Sequence, residues 1–291
     1  MTADNLRFVK DFAAGGASAV VAKTVVAPVE RVKLLLQLQG TRKQAQHYKG
    51  IIDCFKRVPV EQGFFSLWRG NMANLLRYVP QQAIQLSCKD TYKRWFMTGL
   101  TEDQFWKFLA GNLAAGGAAG ATALCFVYPM DFARTRLAVD IGRGKTREFK
   151  GLGHCFRSIL RTDGVIGLYR GFFVSVQFVI IYRAAFFGFF DTGHAMLGKS
   201  HELNFFAAWA IAQVSTNSAG MLTYPMDTVR RCMMMQSGRI HPLYKNSLDC
   251  YRTIIKVEGW RALYKGALAN LLRESGGALL LAMYVEIEKY I

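Results

Sequence analysis

The sequence predicts an all-α membrane protein: six transmembrane helices in three related repeats, with a short interfacial helix between the two spans of each repeat. Three observations carry this. The first is a six-residue phrase written three times, Pro28-Val29-Glu30-Arg31-Val32-Lys33, Pro129-Met130-Asp131-Phe132-Ala133-Arg134 and Pro225-Met226-Asp227-Thr228-Val229-Arg230. The copies start 101 and then 96 residues apart, close to a third of the 291-residue chain, which marks an internal repeat. The second is composition: 52% apolar residues, 27 glycines and a positive mean hydropathy. The third is a formal charge of +17, from 37 Lys+Arg against 20 Asp+Glu. Lipid tolerates few charges, so these must line a water-filled interior or sit in loops.

In each phrase the acid and the base, three residues apart, share one helical face. The proline before them removes a backbone donor and is expected to bend the helix. Each copy ends a run of small and apolar residues, which argues against three unrelated surface ion pairs.

The basic excess points to nucleic acid, an acidic membrane surface or an anionic substrate. No helix-turn-helix, zinc finger or aromatic RNA-binding phrase accompanies it, so no nucleic-acid partner is expected. Six cysteines show no Cys-x-x-Cys pair and no His/Cys cluster, which suggests neither a metal site nor a disulfide scaffold. Cys54, Cys155 and Cys250 follow the repeat and read as small buried residues. Met1–Lys10 resembles neither a secretory signal nor a transit peptide, so any address is expected to be internal.

The first span runs from near Arg7 to about Leu38, long enough to cross a bilayer, and its small residues suit close helix packing. Lys23 lies mid-span, seven residues before Glu30 and on about the same face, a functional candidate by its position. A short amphipathic stretch over 52–61 reads as interfacial. The second span, about Asn71–Met97, holds Arg77, Gln81 and Gln85. The third, Phe105–Val139, carries Gly116 and Gly120 in a Gly-x-x-x-Gly pattern. After a basic loop and a short helix around His154–Thr162 comes the fourth, Phe173–Met196, with Arg183 and the line Tyr182, Phe186, Phe190. The fifth is Phe205–Gln236, then a short helix Leu248–Glu258 and a last span, Ala267–Ile291, around Arg273. The long loops are basic and the short ones nearly neutral. The positive-inside bias therefore puts the long loops in the inner compartment and both termini outside.

The Pro-x-Asp/Glu-x-x-Lys/Arg phrase recurs with Trp68-Arg69-Gly70, Tyr169-Arg170-Gly171 and Tyr264-Lys265-Gly266 at the same period. Together they resemble the mitochondrial carrier family over the whole chain. Arg230-Arg231-Cys232-Met233-Met234-Met235, Val32-Lys33-Leu34-Leu35-Leu36-Gln37 and Tyr182-Arg183-Ala184-Ala185 resemble its adenine-nucleotide carriers. The resemblance implies carrier repeats over 1–100, 101–200 and 201–291, with the short helices on the matrix side. It implies an antiporter of the mitochondrial inner membrane, not an enzyme, that exchanges cytosolic ADP for matrix ATP by alternating access. With free nucleotides each cycle would move one elementary charge. No cofactor is implied; a monomer and bound cardiolipin are.

The resemblance also assigns residues. Lys23, Arg77 and Arg273 would bind phosphates, with Phe178, Val179, Tyr182 and Thr223 beside the adenine and Arg231 nearby. From chemistry alone, mid-membrane cations from different helices suit a polyanion, and arginine forks suit phosphate oxygens. No Gly-x-x-x-x-Gly-Lys-Ser/Thr loop supports a soluble nucleotide enzyme. A matrix gate would use Glu30/Lys33, Asp131/Arg134 and Asp227/Arg230, each acid reaching the base of the next helix. A cytoplasmic gate would use Asp90, Lys93, Asp191 and His194, with Val285 and Glu288 breaking its pattern in the last span. Anionic lipid would bind near Gly50, Gly70, Gly151, Gly171 and Gly266, where helix N-termini offer free N–H groups.

Three residues depart from the pattern: Cys232 replaces the third arginine of an Arg-Arg-Arg-Met-Met-Met phrase, Phe178 stands where glycine is typical, and Glu274 replaces glycine after Arg273. They motivate two alternatives, a carrier of a different anion and a transport-impaired structural, regulatory or proton-leak membrane protein.

Overall fold

The computed structural model describes residues 3–41, 47–98, 105–143, 146–197, 205–239 and 243–275. Among these there is no strand. Five long helices are seen: α1 (Ala3–Gln37), α3 (Asn71–Met97), α4 (Phe105–Val139), α7 (Phe172–Leu197) and α8 (Phe205–Met234). Residues 267–275 form the start of a sixth, whose predicted remainder lies outside the described residues, as do Val285 and Glu288. The short helices α2 (Ile51–Gln62), α5 (Leu152–Thr162), α6 (Gly164–Leu168) and α9 (Ser247–Glu258) all follow long helices of the Pro-x-acid type.

Among the described residues two stretches, Ala110–Val139 and Gly164–His194, are long and apolar enough by themselves to cross a membrane. The other long helices dilute their apolar faces with the charges that line the interior. Pro28, Pro129 and Pro225 lie inside helices assigned without a break. The carbonyls freed four residues before Pro28 and Pro129, those of Thr24 and Cys125, accept instead from Trp68 Nε1 at 2.8 Å and the Tyr169 hydroxyl at 2.7 Å.

The packing alternates. α3 lies along α4 and α7 along α8, while α1, α4 and α8 meet one another at the inner end, the end of the short helices. Gly116 and Gly120 let α7 approach α4: a Cβ on Gly116 would stand 3.2 Å from Arg183 Nη1, and one on Gly120 3.0 Å from Val179. The predicted small-residue pattern is thus a helix contact.

Three apolar clusters fix the short helices to the inner end. Val32, Leu35, Cys54 and Val58 join α1 to α2; Phe132, Leu137, Cys155 and Ile159 join α4 to α5; Val229, Cys232, Cys250 and Ile254 join α8 to α9. Cys54, Cys155 and Cys250 are fully buried at equivalent positions. Burial pushes the Cys155 thiol up to about 12, so it stays a packing group.

The Trp/Tyr-Arg/Lys-Gly phrase closes each repeat onto the next. Gly70, Gly171 and Gly266 have left-handed backbone angles, φ 86°, 85° and 82°, which glycine adopts without strain. A Cβ on Gly70 would stand 2.9 Å from the carbonyl oxygen of Arg134, on Gly171 2.9 Å from that of Arg230, and on Gly266 3.0 Å from that of Lys33. Each glycine therefore lets the chain pass against the basic residue of the next Pro-x-acid-x-x-base phrase. Tyr128 and Tyr224, immediately before Pro129 and Pro225, donate to the carbonyls of Arg170 and Lys265, each at 2.9 Å.

Candidate functional site

The three phrases bring their charges to one place. From α1, Lys33 Nζ donates to Asp227 Oδ2 of α8 at 3.0 Å, and Glu30 accepts from Arg134 of α4. These are two of the three contacts expected between neighbouring Pro-phrase helices. The third differs. Arg230 Nε donates to Asp227 Oδ1 on its own helix at 2.8 Å, and its guanidinium lies 4.6 Å from the Phe178 ring centroid. Asp131 instead pairs with Arg77 of α3 at 3.6 Å, and among the described residues no ion pair joins it to Arg230. The reason is Phe178: a flat ring face attracts a guanidinium, and the acid in the same helical turn supplies the rest.

Asp227 is the hub of the ring. Besides Lys33 and Arg230 it accepts from Arg231 Nε at 3.1 Å through both oxygens and from Gln37 Nε2 at 3.2 Å. All lie in a buried layer, with side-chain exposure of 4% for Asp227 and 8% for Lys33. A buried carboxylate is stable there because several donors replace its water.

Beside this layer lies a cavity of about 280 Å³. Its lining includes the six charged residues of the phrases and, of the residues expected to bind substrate, Arg77, Phe178, Val179, Tyr182, Arg231 and Arg273. Phe178 and Tyr182 stack, with ring centroids 5.9 Å apart, on one wall. Arg273 donates to Glu274 Oε1 at 2.8 Å and lies 3.7 Å from Glu30. Lys23 and Thr223 are not among the lining residues. Lys23 Nζ sits over the Tyr78 ring, 4.4 Å from its centroid. Thr223 is fully buried and donates to the Ala219 carbonyl at 2.8 Å, so its hydroxyl is spent on its own helix.

Two site residues escape the sequence argument. Asn74 donates to Glu30 Oε2 at 3.3 Å and accepts from Arg77 at 3.4 Å. Asn270 accepts from Lys33 Nζ at 2.7 Å and from Arg273 Nη2 at 3.2 Å, and donates to Glu274 at 2.9 Å. The signal was present. Both asparagines stand four residues after the glycine of the Trp/Tyr-Arg/Lys-Gly phrase, and Ser175 occupies the same place in the second repeat.

At the outer end Asp90, Lys93 and Asp191 are exposed, and His194 lies against Phe190 with ring centroids 5.0 Å apart. Among the described residues no ion pair involves these four. Of the glycines expected near anionic lipid, Gly50 and Gly151 precede α2 and α5 in open space, whereas Gly70, Gly171 and Gly266 are the close contacts described above.

A threefold helical bundle, held by a ring of buried charges at one end beside a cation-rich cavity, defines a membrane carrier for anions. The chain belongs to the mitochondrial carrier protein family, whose model matches residues 4–100, 105–201 and 201–291. It is 55% identical over 298 residues to ADP/ATP translocase 3 of Bos taurus, 56% over 297 to ADP/ATP translocase 2 of Rattus norvegicus, and 54% over 298 to ADP/ATP translocase 3 of Homo sapiens. Each match covers 100% of both chains.

Proposed function

We propose that this chain is an ADP/ATP antiporter of the mitochondrial inner membrane, importing ADP and exporting ATP by alternating access. The observation that carries it is the cavity: Arg77, Arg231 and Arg273 meet there from three helices, beside a stacked Phe178–Tyr182 wall. Arginines serve the phosphates and the aromatic wall serves the base. Full-length likeness to ADP/ATP translocases supports the same substrates. Lys23, on its tyrosine, meets phosphate on the way in, and Val179 packs beside the base.

On this reading the buried ring of Glu30, Lys33, Asp131, Arg134, Asp227 and Arg230 is the matrix gate. Asp90, Lys93, Asp191 and His194 belong to the cytoplasmic gate, and both termini face the intermembrane space. The protein works as a monomer of three repeats, 1–100, 101–200 and 201–291. Cardiolipin headgroups sit at the starts of α2 and α5, where Gly50 and Gly151 leave backbone N–H groups open to anions. Gly70, Gly171 and Gly266 shape the same grooves from the other side.

The test is uptake of labelled ADP by liposomes containing the purified protein. Uptake is expected in vesicles loaded with ADP or ATP and not in empty ones. Uptake driven only by another internal anion would replace the substrate assignment, and none with any internal anion would leave a non-transporting membrane protein.

A further inference from the structure

The residue five places after the acid of each Pro-x-acid-x-x-base phrase is set against the repeated cysteine of the short helix that follows. In the first repeat it is Leu35, which shares an apolar cluster with Cys54. In the second it is Arg136, whose charge acts on Cys155. In the third it is Cys232, so the repeat sets one thiol against another, Cys232 of α8 against Cys250 of α9.

The two thiols hydrogen-bond to each other inside the cluster that joins α8 to α9. Both ends of the connection between them are fixed. Tyr244 N donates to Gln236 Oε1 at 2.7 Å, and Asn246 caps α9 by accepting from Asp249 N at 2.8 Å, which holds Cys250 in the first turn. Exposure is 3% for Cys232 and 0% for Cys250, so a bulky reagent reaches neither sulfur. Cys232 nevertheless lines a cavity of about 10 Å³ with Gln37, Thr41, Tyr244 and Glu258, room for one molecule of the size of water. The pair lies outside the cavity proposed to take substrate.

We propose that Cys232 and Cys250 form an oxidisable dithiol: a small hydroperoxide, such as hydrogen peroxide, closes them to a disulfide that staples the first turn of α9 to the inner end of α8. The Cys232 sulfur, on the small cavity, attacks one peroxide oxygen. The S–O bond forms as the O–O bond breaks, and the thiol proton leaves with the other oxygen as water. The Cys250 sulfur then displaces the hydroxyl from Cys232, forming the S–S bond as the S–O bond breaks, and its proton leaves in a second water. The pair loses two electrons and the peroxide takes them. A disulfide restricts the unfolded chain between its cysteines, so the closed form is the more stable. Cys54 and Cys155, set against leucine and arginine, are not part of this chemistry.

The experiment exposes the full chain in liposomes to hydrogen peroxide or to oxidised glutathione, blocks the remaining thiols and digests the denatured protein. Cleavage after Arg239 and Lys245 leaves the two cysteines on separate peptides that only the disulfide joins. Peroxide is expected to join them in the wild type and dithiothreitol to part them, with oxidised glutathione at least about tenfold slower than peroxide. The closed form is expected to melt about 5 °C higher than the reduced protein, and C232S to show no such gain. In C232S the Cys250 thiol is expected to survive the same dose of peroxide. Wild-type peptides that stay separate overturn the proposal, as does Cys250 found joined to any cysteine but Cys232. Equal rates with the two oxidants overturn the restriction to a small oxidant, and an unchanged melting temperature overturns the staple. The linkage is read in the wild type, so the test decides even if C232S does not fold.

Discussion

The two ends of the bundle handle charge in opposite ways. At the inner end Asp227 gathers Lys33, Arg230, Arg231 and Gln37 in a layer almost closed to water, and Glu30 ties α1 to α4. At the outer end Asp90, Lys93 and Asp191 stand in the open without an ion pair among the described residues. Breaking a buried pair leaves a charge stranded in low dielectric and costs about 3–5 kcal/mol, whereas exposed pairs contribute about 0–1 kcal/mol. The inner end therefore holds the bundle in the form seen, and the outer end adds little to it.

Asp227→Ala tests this contrast most severely, since it strands Lys33, Arg230 and Arg231 together. We expect melting in detergent to fall by on the order of 10 °C. A loss of a degree or two would show that the ring does not hold the inner end.

Arg77→Ala comes next. It removes a proposed phosphate ligand and leaves Asp131 without its Arg77 partner. Exchange should drop by about 100-fold while the protein remains folded, in keeping with the loss of a charge-assisted hydrogen bond of about 3 kcal/mol. Undiminished exchange in a folded R77A protein would remove Arg77 from the binding site.

Phe178→Gly sharpens the comparison within the ring itself. Without the aromatic face Arg230 is expected to reach Asp131 and free Arg77, while the base loses half of its stacked wall. The lost stacking, about 1 kcal/mol, is expected to raise the KM for ADP about 5-fold. An unchanged KM would mean that Phe178 is not part of the wall beside the base.

The smallest effect is expected outside. In sequence, Asp191 is set against Glu288, and Lys93 against Val285. Val285→Asp together with Glu288→Lys offers the exposed Lys93 and Asp191 opposite charges, for about 1 kcal/mol or less. Labelling of a single cysteine at the outer mouth, in a protein stripped of native cysteines, should slow by about 2- to 5-fold. Equal labelling in both forms would show that the outer ring does not set the resting state.

Much of this protein is legible in its sequence because a repeat writes each feature three times. The Pro-x-acid-x-x-base phrase located the buried charges of the inner end, the apolar runs located the helices, and the predicted limits of α3 and α4 match the observed ones. Covalent spacing along one helix is enough for all of that: an acid and a base three residues apart share a face whatever surrounds them.

Partner choice was a different matter. Arg230 has two carboxylates and a ring within reach, and only the packing of α7 against α8 puts Phe178 under its guanidinium and leaves Asp131 to Arg77. Thr223, polar in sequence, turns into its own helix; Asn74 and Asn270, marked in sequence only by their place after the phrase glycines, stand between the buried ring and the cavity. Gly266 is legible in sequence as part of a repeated phrase, yet what it meets is the carbonyl of Lys33, more than two hundred residues earlier in the chain. Such contacts are decided by distances between helices, which fall steeply into or out of hydrogen-bond range over an ångström, and no local pattern of residues encodes them.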